Sequence, residues 1–103
     1  MLTVLQEGQS FSNYSELTNN SAPLNVLYFT ASWCGPCQRF KPIMQEVANE
    51  GHSVQFIDID NQRDVAQQYN VRSVPTVVIE LNGSEVNRLI GATTKQVVLE
   101  NLS

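Results

Sequence analysis

Apolar positions along this chain follow two spacings: unbroken runs rich in β-branched and aromatic residues, and runs in which apolar residues recur every third or fourth position. The first pattern predicts strands and the second helices. Residues 3–6 read as a short first strand. Ser10 is a candidate N-cap for a first helix with Phe11, Tyr14 and Leu17 on its apolar side. Residues 19–23 form a loop ended by Pro23, which cannot continue a helix. Residues 24–30 are apolar and predict a buried central strand. A long helix follows from 34 to about 50, with Phe40, Ile43, Met44, Val47 and Ala48 on one face. Pro42 lies inside it and should kink it; Gly51 and His52 end it.

Residues 54–58 predict another strand, through Val54, Phe56 and Ile57. Asp60 and Asn61 offer caps for a short helix over 63–69, with Val65, Ala66 and Tyr69 apolar. Residues 71–75 are a loop and 76–81 a β-branched strand. Asn82-Gly83 is a two-residue hairpin signal, so 85–90 should be the antiparallel partner, with Val86 and Ile90 on one side. Gly91 breaks that strand. Thr93 and Gln96 match a capping box, opening a last helix with Val97, Val98, Leu99 and Leu102. The order is β-α-β-α-β-α-β-β-α. Its first three pairs imply a parallel sheet with helices on both faces, and the hairpin adds an antiparallel edge.

Bulk properties narrow the classes. A chain of 103 residues is sized for one domain, spanning 1–103, with a real core. Hydrophobic content of 42% with 16% charge is that of a folded protein, not a disordered one. A net charge of -4 argues against nucleic acid as a partner. No apolar run approaches the ~20 residues of a membrane helix. The first residues lack the basic start and long apolar stretch of a signal peptide, so a cytoplasmic location is expected. In that compartment a lone Cys-x-x-Cys points to catalysis rather than to a structural staple.

Both cysteines lie in Trp33-Cys34-Gly35-Pro36-Cys37, where a strand ends and a helix begins. Free N–H groups and the positive end of the helix dipole favour an anion there. A cysteine so placed should ionise readily, and the thiolate is the nucleophile. Pro36 suits the first helical turn, and Gly35 should let another backbone approach. His52, the only histidine, should lie far from Cys34, which disfavours a Cys–His hydrolase. Two cysteines and one histidine fall short of a zinc ligand set, so no metal is expected. Arg39 and Lys41 read as a solvated helix face.

The five-residue motif is identical to the active-site motif of the thioredoxin family. Val74-Pro75-Thr76 resembles that family's cis-proline loop, Pro42 falls where its second helix kinks, and Asn82-Gly83 and Gly91-Ala92 match its late hairpin and the glycine after its last strand. The resemblance covers essentially the whole chain. It implies an α/β thioredoxin fold: a central mixed five-stranded sheet with four helices on both faces. It implies a protein-disulfide reductase in which Cys34 attacks a substrate disulfide and Cys37 resolves the mixed disulfide. A Cys34–Cys37 disulfide would remain, re-reduced with electrons from NADPH through a thioredoxin reductase. No bound cofactor is implied, and a monomer acting on disulfide-containing proteins is expected. By the same analogy the Val74 backbone would pair with substrate beside a cis Pro75, and Trp33, Gly35, Pro36, Ile90, Gly91 and Ala92 would form the apolar surround. A second reading is a binding subunit of a larger complex, such as a polymerase clamp, with incidental redox activity; a third is a thiol oxidase or isomerase.

The chain also departs from the family. Many members carry a buried Asp six residues before the first Cys, paired with a Lys on the next strand. Tyr28 and Phe56 occupy those positions here. Tyr, with an ordinary pKa near 10, is a poor base at about pH 7. Two expectations follow: Tyr28 and Phe56 fill the core, or the Tyr28 hydroxyl bonds towards Cys37 and orients or relays its proton. Thr30 replaces a common aromatic. Asp58 and Asp60, at a strand end near the same sheet edge, are candidate proton acceptors.

Overall fold

Seven elements run through residues 24–102, the part of the chain that the computed structural model describes. In order they are β1 (Leu24–Thr30), α1 (Gly35–Asn49), β2 (Ser53–Asp58), α2 (Arg63–Gln68), β3 (Thr76–Leu81), β4 (Ser84–Ile90) and α3 (Lys95–Glu100). The expected strand at 3–6 and the helix capped by Ser10 lie outside the described residues. The sheet order is β2-β1-β3-β4. Among the described residues, then, four strands and three helices stand where five and four were expected for the whole chain.

β1 and β2 are parallel, joined by α1 as the alternating pattern requires. The hairpin does more than add an edge. β3 pairs antiparallel with central β1, from Leu24 opposite Leu81 to Phe29 opposite Thr76. The connection over 59–75 therefore reverses the chain instead of returning it for a parallel pairing. Asn82 and Gly83, with φ of 54° and 82°, make the two-residue hairpin turn. β4 then closes the sheet, with a register shift at Ile79/Glu80.

Alternation along β1 divides the core. Leu24, Val26 and Tyr28 pack with Phe40, Met44 and Val47 of α1, with Val77, Ile79 and Leu81 of β3, and with Val98 and Leu102 at the C-terminal end. Leu27 and Phe29 face the other way, with Ile57, Val78 and Ala66 of α2. Apart from exposed Asn25, both faces of β1 are buried, as is all of β3, which explains their largely apolar sequences. Phe56 is a partial exception to the expected core filling. It packs edge-on against Tyr28, with ring centroids 5.6 Å apart, but is 37% exposed.

Two helix starts differ from expectation. α3 is capped by Thr94, whose hydroxyl accepts the Val97 N–H at 3.2 Å, and Gln96 bonds Glu100 instead of closing a capping box with Thr93. α2 begins at Gln62 without a side-chain cap; Asp58 Oδ1 instead accepts the Asp60 N–H at 2.9 Å, tightening the strand end before the helix. Lys95 bridges Glu46 at 3.2 Å and also pairs with Glu50, tying α3 to the far half of α1. None of the helices among the described residues is long and apolar enough to cross a membrane.

On the α2 side, Tyr69 donates its hydroxyl to the carboxylate of buried Glu80, and Arg88 spans from the Tyr69 carbonyl (2.7 Å) to both oxygens of Glu85. The bond to Glu80, then burial and the carboxylates of Glu80 and Glu85, push the Tyr69 phenol up to about 12. A folded pKa above the unfolded value near 10 means that this stabilisation is complete at lower pH and lost as pH rises through about 12. Ultraviolet titration should show one late-ionising phenol fewer in Tyr69→Phe than in wild type, the buried Tyr28 phenol, also raised, remaining; an unchanged number of late phenols would assign the step near 12 elsewhere.

Candidate functional site

The apolar run of β1 brings the chain to the sheet edge, and the turn 31–34 delivers it into α1. The Cys34 N–H donates to the Ala31 carbonyl at 3.2 Å, closing that turn. The Gln38 side chain reaches back to the same carbonyl at 3.0 Å, so helix and turn are fastened together. Cys34 is the N-cap of α1, in extended conformation, and its Sγ accepts the Cys37 N–H at 3.2 Å. This is the arrangement in which a thiolate would receive both a hydrogen bond and the helix dipole. Pro36 sits in the first turn, where its missing N–H costs nothing.

Cys34 and Cys37 are joined as a disulfide, with Cα atoms 5.2 Å apart. Cys34 is 6% exposed and Cys37 is fully buried. The two pack with Ala31, Ile59 and Val74. Cys34 Sγ lies 3.7 Å from the Val74 carbonyl oxygen across the site. The Val74-Pro75 bond is cis, as expected. The Gly91 N–H donates to the Pro75 carbonyl at 2.8 Å, which fixes the end of β4 beside that loop.

Of the residues expected to surround the cysteines, Val74 packs against them, and Gly91 is bonded to Pro75 next to it. Trp33 and Ile90 are 67% and 73% exposed, unusual for large apolar side chains. Gly35, Pro36 and Ala92 are exposed as well, and Gly91 has a φ of 92° that favours glycine. No backbone approaches Gly35 from within the described residues. A Cβ there would meet only the Arg39 guanidinium at 3.6 Å, so its open face is turned outward. His52 follows the far end of α1, about 22 Å along the helix from Cys34 at 1.5 Å per residue. Among the described residues no group of three or more His, Cys, Asp or Glu could hold a metal.

Behind the disulfide, the Tyr28 hydroxyl donates to the Cys37 carbonyl oxygen at 2.8 Å. It points towards Cys37 as one expectation had it, but its partner is backbone and not Sγ. Burial raises the Tyr28 phenol pKa, with the neighbouring Thr30 hydroxyl acting in the opposite direction. The Tyr28 ring also packs edge-on against Phe40, with centroids 5.7 Å apart. It both fills the core and holds the first turn of α1.

One contact was not anticipated. The Trp33 indole N–H donates to Asp60 Oδ2 at 2.9 Å. The available signal was positional: parallel β1 and β2 place the residues that follow each strand side by side. Asp60→Ala should free the indole. Since Trp33 is the only tryptophan, its fluorescence reports the change directly. A red-shifted emission and about a two- to fivefold lower kcat/KM with protein disulfides are expected for losing one exposed hydrogen bond. An unchanged spectrum would mean that Asp60 does not restrain the ring.

Comparison with known proteins agrees with this geometry. The thioredoxin family model matches residues 5–103. A thioredoxin H-type from Fagopyrum esculentum is 40% identical over 86 residues, covering 82% of this chain and 74% of the relative. A thioredoxin from Mycoplasma genitalium is 40% identical over 83 residues, covering 78% and 81%. Some relatives are longer: this chain spans 62% of the length of the chloroplastic thioredoxin Y of Oryza sativa. Among solved structures, Fasciola hepatica thioredoxin superposes with a TM-score of 0.74 at 31% identity, covering 85% of this chain and 86% of the other. With the fold, the paired cysteines and these likenesses in agreement, the chain belongs to the thioredoxin family and is a thiol-disulfide oxidoreductase.

Proposed function

We propose that this chain, as a single domain over residues 1–103, reduces protein disulfides in two exchanges. In the first, the Cys34 thiolate attacks a substrate disulfide. A Cys34–substrate bond forms, the substrate S–S bond breaks, and one substrate thiolate leaves. In the second, the Cys37 thiolate attacks Cys34 Sγ and the other substrate sulfur leaves. The protein is then oxidised by two electrons, which its reductase must return. The observation that carries this reading is the position of Cys34 as helix N-cap, its sulfur at the surface end of the pair and bonded to the N–H of buried Cys37.

The same geometry supports a docking role for the exposed surround. An extended substrate segment would pair with the Val74 backbone and lie against Trp33, Pro36, Ile90 and Ala92, with Gly35 and Gly91 giving its backbone room. Tyr28 serves as a positioning residue, holding Cys37 through its carbonyl. A thioredoxin reductase supplied with NADPH is the proposed electron donor. Supporting it, a relative from Mycobacterium leprae joins a thioredoxin reductase and a thioredoxin in one protein; it is 32% identical over 95 residues, and this chain spans 20% of it. A monomer in the reducing cytoplasm fits a chain whose only two cysteines form the redox pair. Insulin reduction, driven by NADPH and a thioredoxin reductase, tests the function. Catalytic precipitation of insulin chains is expected. Failure with both the reductase and dithiothreitol as donor would favour the binding-subunit reading.

A further inference from the structure

With Tyr28 and Phe56 behind it, Cys37 has no evident base, yet its thiol must lose a proton to resolve the mixed disulfide. Three groups lie on the α1 face at the ends of β1 and β2. Tyr28 and Thr30 are two residues apart on β1, so both side chains point to that face. Asp58 is the register partner of Thr30 on β2, just as Phe56 is the partner of Tyr28, whose ring it touches. The Thr30 hydroxyl oxygen is buried and makes no hydrogen bond. It nonetheless lies near enough to the Tyr28 hydroxyl to act on its ionisation, and that hydroxyl bonds Cys37. Asp58 is half-buried; one carboxylate oxygen accepts the Asp60 N–H and the other has no hydrogen-bond donor among the described residues.

A buried hydroxyl without a hydrogen-bond partner opposes folding, so its place beside Asp58 across the β1–β2 pairing, on the face where Tyr28 bonds the Cys37 carbonyl, is informative. We propose that Thr30 and Asp58 form the exit path for the Cys37 proton. This rests on the assignment of Cys37 as the resolving thiol. As Cys37 attacks Cys34 Sγ, its proton passes to the Thr30 hydroxyl, directly or through one water. The Thr30 proton passes in turn to the Asp58 carboxylate. The substrate leaves as a thiolate, and Asp58 returns the proton to solvent. No electron moves outside the disulfide exchange. The other charged side chains near Cys37 are Arg39 and Lys41 on α1, Asp60 after β2 and Arg72 before Val74, all exposed and without an ion pair among the described residues; Glu46 and Glu50, at the far end of α1, pair with Lys95.

The reduced protein can be mixed rapidly with an aromatic disulfide whose two thiolates are coloured. The first release is the bimolecular attack by Cys34 and the second is resolution by Cys37. Thr30→Val and Asp58→Asn should leave the first phase within about twofold and slow the second about tenfold at roughly pH 7, the low end of what a positioned base supplies. The deficit should close as pH approaches the ordinary thiol pKa of about 8.5, where hydroxide can take the proton. Thr30→Ser should restore the rate. Asn at 58 retains an acceptor for the Asp60 N–H, and Val at 30 removes an unsatisfied group, so both variants should unfold at denaturant concentrations no lower than wild type. An unchanged second phase, or one slowed by the same factor at every pH, overturns the relay. A second phase that survives in Cys37→Ser overturns the assignment of Cys37 itself.

Discussion

Replacing Cys34 with serine should reduce insulin turnover to the uncatalysed background, whereas replacing Cys37 should give a protein that reacts once and stops. The two outcomes follow from the unequal positions of the sulfurs. Cys34 Sγ sits at the mouth of the site, accepting the Cys37 N–H and facing the Val74 carbonyl. That N–H and the helix dipole stabilise a thiolate, while a serine hydroxyl in the same place remains protonated. Serine is also a good N-cap, so Cys34→Ser should keep α1 and change the stability of the reduced protein by less than about 1 kcal/mol. Cys37 is fully buried and reaches no substrate. Without it the Cys34–substrate bond has no internal attacker and should accumulate to one equivalent, detectable by mass spectrometry and released by dithiothreitol. Multiple turnovers by Cys37→Ser would show that resolution does not need this thiol, and activity retained in Cys34→Ser would reverse the assigned roles.

Tyr28→Asp, which supplies the carboxylate that the family resemblance led one to expect, should destabilise this chain by about 3–5 kcal/mol near neutral pH, within the range measured for deleting a buried aromatic. That is a large share of the 5–15 kcal/mol typical of a domain. Tyr28 is completely buried and packs edge-on between Phe40 and Phe56. The shorter side chain would abandon both ring contacts, each contributing about 0.5–1.5 kcal/mol beyond burial, and the bond to the Cys37 carbonyl. It would also place a carboxyl beside Phe56, where no cation pairs with it among the described residues. Burial raises a carboxyl pKa above its unfolded value near 3.9. The folded state then holds the proton more tightly, so the electrostatic part of the penalty is absent below about pH 4 and grows as pH rises through the raised value. Chemical denaturation at about pH 4 and again near pH 7.5 should show the larger loss at the higher pH. Equal losses at both would mean that water reaches the pocket and solvates the carboxylate.

The parts of the structure legible in the sequence were those fixed by local pattern. β1 and β3 are buried on both faces over most of their length, so they appear as largely apolar runs. The hairpin was legible because a two-residue turn with both φ angles positive selects Asn-Gly. The redox pair was legible because its spacing and its place at a strand-to-helix turn were both visible. What escaped depended on contacts distant in sequence or on small backbone differences. Thr93 and Thr94 are equivalent as candidate caps until the backbone at Thr94 turns extended. The direction of β3 depends on how 59–75 folds back, which apolar spacing does not encode. The Trp33–Asp60 bond joins residues 27 apart and exists only because β1 and β2 are adjacent. Core filling and a bond towards Cys37 were both open for Tyr28; the hydroxyl does point to Cys37, but its acceptor is a carbonyl, and backbone acceptors leave no mark in a sequence.

Because β3 runs against β1, the residue leaving one strand is next to the residue entering the other: Phe29 is opposite Thr76. The Cys34 turn and the Pro75 loop thus emerge from neighbouring positions at one end of the sheet, although 40 residues separate Cys34 from Val74. Their separation is set by the pairing of two rigid strands, and the length and composition of the intervening chain hardly enter. The sheet works as a gauge for the redox site. A slip of one residue along β3 would shift the loop by about 3.4 Å and turn Val77, Ile79 and Leu81 away from α1. Mispairing would therefore expose apolar side chains on the wrong face, so a chain with a mis-spaced site would also be a poorly folded one.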